Sequence, residues 1–303
     1  MFCRKQPEKP PVLPNFLIVG AAKSGTSSLY EYLRQHPDVF MPKWKELSFF
    51  LEDPYPPIHK VKKPWYYRKV FEKVENQTAV GEASTSYLYE ESAPRRIKAE
   101  LGLIKIIIVL RNPVEMAYSL YNHQVRKEGE ISVHFEAALD AEDRRITDLT
   151  FRKHCYGWHA NYYYFHRGLY YEQVKRYLDT FGQGNVLIFL FEELVKDPVQ
   201  VARTAFSFLD VDDTFAPVIK IHNPGGGILK IPNFWQDVGL FYKTTSFLFS
   251  RNALRKIPHL IRNLGRKPAG PIDPTTAGNL KKRYYDEICR LEQLIGRDLS
   301  AWK

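Results

Sequence analysis

Short, uninterrupted apolar runs alternate along this chain with longer stretches in which apolar residues recur every three or four positions. The runs are Phe16-Leu17-Ile18-Val19, Ala79-Val80 leading into Gly81-Glu82-Ala83-Ser84, Ile106-Ile107-Ile108-Val109-Leu110 after Lys105, and residues 186–191. They are strand-sized, rich in β-branched residues and bounded by turn signals, the pattern of parallel strands buried on both faces. Residues 39–42 read as a further short extended piece. Helical spacing predicts helices from Leu29 through Leu33 and over residues 65–74, 92–101, 113–123, 169–180, 198–209 and 280–296. Residues 135–146 form an acidic, less regular helical piece. Pro37 pushes His36 out of the helical region and closes the first helix. Pro94 and Pro113 suit first turns, and Asn112 can cap the helix that Pro113 begins. Strands alternating with helices predict an α/β fold: a P-loop-like parallel sheet with helices on both faces. One domain, residues 15–303, is expected after a disordered, proline-rich lead-in, residues 1–14.

Charge narrows the ligand class. There are 44 Lys and Arg against 34 Asp and Glu, a net charge of +10, and residues 251–303 hold twelve of the cations and only five of the acids. A basic balance points to anionic ligands, a membrane surface or nucleic acid without choosing among them. Cys3, Cys155 and Cys289 lie too far apart for a zinc motif or a disulfide framework, and a reducing compartment is the simplest reading. The N-terminus is polar rather than apolar, and no window reaches membrane-spanning length, so a soluble, cytoplasmic protein is expected. Residues 228–262 mix Phe234, Trp235, Phe241, Tyr242, Phe247 and Phe249 with Lys and Arg, as an interfacial amphipathic element does. A peripheral membrane or nucleotide-binding protein without transferase activity is therefore a second class of function to weigh.

The chemistry concentrates after the first strand. Gly20 ends it, and Ala21, Ala22, Lys23, Ser24, Gly25, Thr26, Ser27 and Ser28 lead into the first helix. A helix N-terminus offers unpaired N–H groups and partial positive charge, and small residues let the backbone wrap a phosphate. Lys23 adds a full charge, and the hydroxyls add donors. The stretch is not a Walker A loop, in which lysine directly follows the second glycine. Here Thr26 follows Gly25, and the lysine comes earlier. The second anion element is Arg111, which leaves the strongest strand at the start of a helix and can bind a phosphate through two N–H groups. Ser119 lies about two turns into that helix. A nucleoside triphosphatase wants an acidic residue at a strand end to hold magnesium. Arg111-Asn112 stands there instead, which disfavours a degenerate P-loop kinase and leads to the expectation of a metal-free site for a doubly phosphorylated nucleotide.

The segments LIVGAAKSGTSSLYEYL, IIIVLRNPVEMAYSLYNHQ and IDPTTAGNLKKRYYDEICRLEQLIGRDLSAW together resemble the sulfotransferases that use 3′-phosphoadenylyl sulfate (PAPS), most closely the bacterial and heparan-sulfate-type branch. The resemblance covers nearly all of residues 15–303. It implies the sulfotransferase fold and in-line sulfuryl transfer from PAPS to a hydroxyl of a carbohydrate, lipid or other small alcohol, with no metal and no nucleic-acid partner. Lys23, Ser24, Gly25, Thr26 and Ser27 would hold the 5′-phosphosulfate, and Arg111 and Ser119 the 3′-phosphate. Arg266 and Lys267 match a basic loop that closes over the 3′-phosphate. Lys45-Glu46-Leu47-Ser48-Phe49-Phe50 matches the segment that supplies a glutamate base, so Glu46 is the first candidate for that role, with Phe49 and Phe50 packing to hold it. His123 is the reserve base, one turn beyond Ser119. Two departures weigh against a glycosaminoglycan acceptor: Ala83 stands where such relatives carry lysine, and their C-terminal disulfide pair has no counterpart. The aromatic segment Tyr156, Trp158, Tyr162, Tyr163, Tyr164 and Phe165 either walls an acceptor pocket or belongs to the core.

Overall fold

The computed structural model of the chain describes residues 12–52, 63–127, 129–130, 132, 134–220 and 270–303, together with the backbone of 228–229 and 266–267. Most of the lead-in, Cys3, the glycine-rich turn at 222–227 and nearly all of 228–262 lie outside the described residues.

Five parallel strands make the central sheet. They are β1 (Phe16–Gly20), β2 (Val39–Phe40), β3 (Ala79–Ala83), β4 (Lys105–Leu110) and β5 (Val186–Leu190), in the order β2-β3-β1-β4-β5. Side chains alternate between the two faces even though the runs are continuous in sequence. Leu17, Val19, Ile106, Ile108 and Leu110 enter one core; Phe16, Ile18, Ile107 and Val109 enter the other. This is why the strands read as unbroken apolar runs: neither face meets water. Each fully buried Ile or Val contributes roughly 1.5–3 kcal/mol.

The first core is closed by α3 (Ala93–Leu101), α4 (Pro113–Arg126), α8 (Tyr170–Phe181) and α11 (Pro274–Ile295), through Ile97, Met116, Leu120, Val174, Tyr177, Tyr284 and Ile288. The second is closed by α1 (Thr26–Leu33) and α10 (Pro198–Phe208), through Leu29, Leu33, Val201, Ala205 and Phe206. The shorter helices are α2 (Pro64–Lys69), α5 (Phe135–Asp140), α6 (Glu142–Thr147), α7 (Leu149–His154) and α9 (Phe191–Lys196). A separate antiparallel pair joins β6 (Ile228–Leu229) to β7 (Arg266–Lys267), and the β6 backbone runs beside α4. Among the described residues no helix is long and apolar enough to cross a membrane.

Several boundaries differ from the sequence pattern. The helix expected over 65–74 ends at Lys69 and continues as tight turns, with Val70, Phe71, Glu72 and Val74 each bonding three residues back, and it delivers Phe71 to the core. Phe191 opens α9 instead of ending β5, because the Glu193 side chain accepts from the Leu190 N–H at 2.8 Å and turns the chain. The last helix begins six residues early, where Asp273 accepts from Thr276 N at 2.9 Å and Pro274 fills the first turn. The helix that starts at Pro113 runs on to Arg126, and Asn112 caps it as expected, its Oδ1 accepting from Val114 N at 3.0 Å.

Candidate active site

The strand order reverses around β1: the chain reaches β2 and β3 on one side and returns to β4 on the other. Open parallel sheets bind ligands at such a point, outside the carboxyl ends of the strands. The loops after β1 and β4 meet there. Ala21 N donates to Val109 O at 2.7 Å, and the Arg111 guanidinium donates to the Lys23 carbonyl at 3.2 Å.

The first loop is shaped for an anion. Gly25 occupies the N-cap of α1 with φ 86°, so no side chain caps the helix and its first N–H groups face outward. A Cβ at Gly25 would lie 2.6 Å from Leu194 Cδ2 and 3.0 Å from Phe191, so α9 enforces the glycine as firmly as the dihedral does. Ser24 is fully buried and donates to the Ala22 carbonyl at 3.3 Å; it stabilises the loop's shape. Thr26 and Ser27 present their hydroxyls to Lys45, whose Nζ lies 3.3 and 3.1 Å away.

Charge accumulates around this helix end. Burial, and after it Arg126, Arg111, Lys127 and Lys45, hold the Lys23 ammonium down to about 8. Lys45 is also held below its ordinary value by burial, although Glu46 and Glu31 pull the other way. Arg111 pairs with Glu115 at 2.8 Å and stacks 4.5 Å over the Phe191 ring. Glu115 is more than half exposed, and an i,i+4 pair of this kind contributes only about 0.3–0.5 kcal/mol, so it holds Arg111 weakly. Ser119 is half-buried on α4, its hydroxyl without a partner among the described residues. Arg266 and Lys267 are placed as backbone in β7, and their side chains lie outside the described residues. Tyr118 donates to the Gly270 carbonyl at 3.0 Å and ties α4 to the segment before α11.

Glu46 approaches from the β3 side. Its N–H donates to the Ala83 carbonyl at 2.8 Å, and its carboxylate accepts from both donors of Thr85: the N–H at 3.0 Å and the hydroxyl at 3.1 Å. Ser48 N donates to Ser84 Oγ at 3.0 Å. Phe49 stacks on Tyr67 at 4.2 Å, and Phe50 meets the Tyr67 and Tyr87 rings edge-on, as the paired phenylalanines led us to expect. Lys23, Glu46 and Ser48 all adopt positive φ, near 60°. Non-glycine residues in that region cost roughly 1–3 kcal/mol each and persist where surrounding contacts over-determine them. Beneath them, buried Glu82 accepts from the Tyr67, Tyr87 and Ser84 hydroxyls at 3.0, 2.9 and 3.0 Å, and burial pushes its carboxyl up to about 7.

His123 is half-buried on α4, where burial, then Lys23, Lys127 and Arg126, press its imidazole down to about 3. Both causes favour its neutral form. The aromatic segment is core: Trp158, Tyr162, Tyr163 and Tyr164 are buried, and only Tyr156 is broadly exposed. Sequence reasoning missed Lys45, Thr85, Arg126 and Lys127 as members of the site. Lys45 had a signal in its place beside Glu46; the others are brought in by the turn after β3 and the last turn of α4.

A helix N-terminus and an arginine from the adjacent strand thus meet at the switch point of a parallel α/β sheet. The chain belongs to the sulfotransferase family: the family's sulfotransferase-domain model matches residues 13–223. Among the proteins it resembles are heparan-sulfate-type enzymes. Over 96% of its length it is 30% identical to bifunctional heparan sulfate N-deacetylase/N-sulfotransferase 4 of Mus musculus, and over 65% it is 33% identical to heparan sulfate glucosamine 3-O-sulfotransferase 3A1 of the same organism. The matches cover 31% and 46% of those relatives, so the chain spans about a third of the length of the first. A solved sulfotransferase from Alicyclobacillus acidocaldarius, 34% identical, superposes with a TM-score of 0.72 and aligns with 96% of this chain and 99% of its own.

Proposed function

We propose that this sulfotransferase takes its sulfuryl group from PAPS and delivers it to a hydroxyl of a small alcohol, carbohydrate or lipid. The observation that carries the reading is the junction of the two loops, where Arg111 donates to the Lys23 carbonyl and so fixes two anion-binding elements against each other. The N-terminus of α1 with Lys23, Lys45, Thr26 and Ser27 receives the phosphosulfate end; Arg111 and Ser119, with Arg266 and Lys267 from β7, receive the 3′-phosphate. In the reaction the acceptor oxygen forms a bond to sulfur while the bond from sulfur to the phosphate oxygen breaks. Glu46 takes the acceptor's proton, and Lys23 stabilises the charge growing on the departing oxygen. His123 is the lesser candidate for the base, because burial and the cations around it disfavour the protonated imidazole that a base must become. Ala83 is buried within β3, so no cation rises there to meet a polyanionic acceptor.

The test is a screen of hydroxyl- and amine-bearing acceptors with sulfur-labelled PAPS, followed by substitution. Glu46→Gln is expected to lower turnover by roughly two to four orders of magnitude with affinity for adenosine 3′,5′-bisphosphate (PAP) intact, and His123→Ala to be much milder. The reverse ranking transfers the base role to the histidine.

A further inference from the structure

The aromatic segment before α8 has no part in the phosphate site, yet it encloses a charged residue. Arg167 is 4% exposed, its guanidinium 5.1 Å over the Trp158 ring and 5.7 Å from the Tyr89 ring. One arm donates to Asn161 Oδ1 at 3.0 Å, and the other to the Thr85 carbonyl at 3.2 Å. Thr85 is the residue whose N–H and hydroxyl grip the two oxygens of Glu46. On its amino side the chain is pinned to β1, since Ser84 N donates to Ile18 O at 3.0 Å. Arg167 and Thr85 also line one small cleft with Ala21 and Ala22, the residues that lead into Lys23.

We infer that Thr85 and Arg167 are positioning residues for Glu46, with the aromatic segment serving as the socket that holds Arg167. The inference rests on the reading of Glu46 as the base. A glutamate on an irregular segment has three rotatable bonds and does not hold one orientation unaided. Thr85 occupies one lone pair on each carboxylate oxygen and leaves the others for the acceptor's proton. Its carbonyl is fixed by Arg167 and its neighbour Ser84 by β1. The base is thereby referenced to the strand that also carries the donor loop, and donor and base keep a constant relation. A misplacement of about 1 Å costs on the order of a hundredfold in rate.

The experiment uses labelled PAPS with water as the acceptor, scoring sulfate release, alongside calorimetric PAP affinity. Thr85→Val keeps the shape and removes the hydroxyl donor; it is expected to slow release at least tenfold and leave PAP affinity unchanged. Thr85→Ser should restore the rate. In a Glu46→Gln background Thr85→Val should cost nothing further, because it acts through the carboxylate. Arg167→Lys, which keeps the charge and loses the fork, should slow release without weakening PAP. Thr85→Val at the wild-type rate while Glu46→Gln is slow overturns the positioning role and leaves the base reading standing. So does a Thr85→Val defect that adds fully to that of Glu46→Gln or appears in PAP affinity. Glu46→Gln at the wild-type rate overturns the base reading, and the positioning role falls with it.

Discussion

Replacing Glu82 by Gln should change how stability depends on pH. Glu82 is 1% exposed, and its carboxyl titrates at about 7 in the fold against 4.5 ordinarily, burial being the first cause. A raised carboxyl pKa means that the folded state binds the proton more tightly than the unfolded one. This contribution is therefore fully present below pH 4.5, declines as pH rises from 4.5 to 7, and is gone above the folded value. The difference of about 2.5 pH units corresponds to roughly 3 kcal/mol. Spread over the unfolding entropy of a 303-residue chain, that is a fall of about 5 °C in Tm between pH 4.5 and 8. Gln carries no charge to bury. Its Oε1 keeps the Tyr67 and Tyr87 donors, both of which bond Oε1 of Glu82, and only the Ser84 acceptor is lost, a constant offset of about 1 kcal/mol. Calorimetric Tm measured from pH 4.5 to 8.5 should show wild type falling relative to Glu82→Gln by about 5 °C. Two parallel curves would show that Glu82 is already ionised in the fold across the range and refute the reasoning.

Further outcomes concern the loop after β1. PAP affinity should hold up to about pH 8 and then fall by up to tenfold per pH unit as the free enzyme's Lys23 loses its proton, a slope that calorimetry should find absent in Lys23→Ala. Lys23→Ala should also depress turnover more than PAP affinity, and a variant that lost only affinity would make Lys23 a binding residue. Gly25→Ala should cost more than about 1 kcal/mol in denaturant unfolding, because its dihedral and the 2.6 Å approach of Leu194 both oppose a Cβ, and an unaffected midpoint would contradict that packing.

Much of the fold was legible because burial on both faces writes strands as continuous apolar runs. Residues 16–20 and 105–110 are found where Phe16-Leu17-Ile18-Val19 and the isoleucine run put them, and Asn112-Pro113 marked a real cap. The start of α11 was also written, in Asp273-Pro274, but helical periodicity alone placed it at Leu280. The loop after β1 could be read as a candidate anion site because one continuous stretch supplies glycine, lysine and hydroxyls. The surroundings of Glu46 could not. Thr85 is 39 residues away in sequence and Arg167 is 82 from Thr85; the parallel sheet and the socket of rings bring them together, and no local pattern announces either. The same holds for Glu82, whose three hydroxyl partners make a buried carboxylate tolerable within an apolar strand.

The central claim is that two loops at adjacent strand ends read the two ends of one bisphosphate nucleotide. Calorimetric titration with adenosine 3′,5′-bisphosphate and with AMP, in EDTA, for wild type and Arg111→Ala, tests it directly. The account predicts that the bisphosphate binds wild type more tightly by at least tenfold and that Arg111→Ala erases most of the preference. Equal affinity of wild type for the two nucleotides would contradict it.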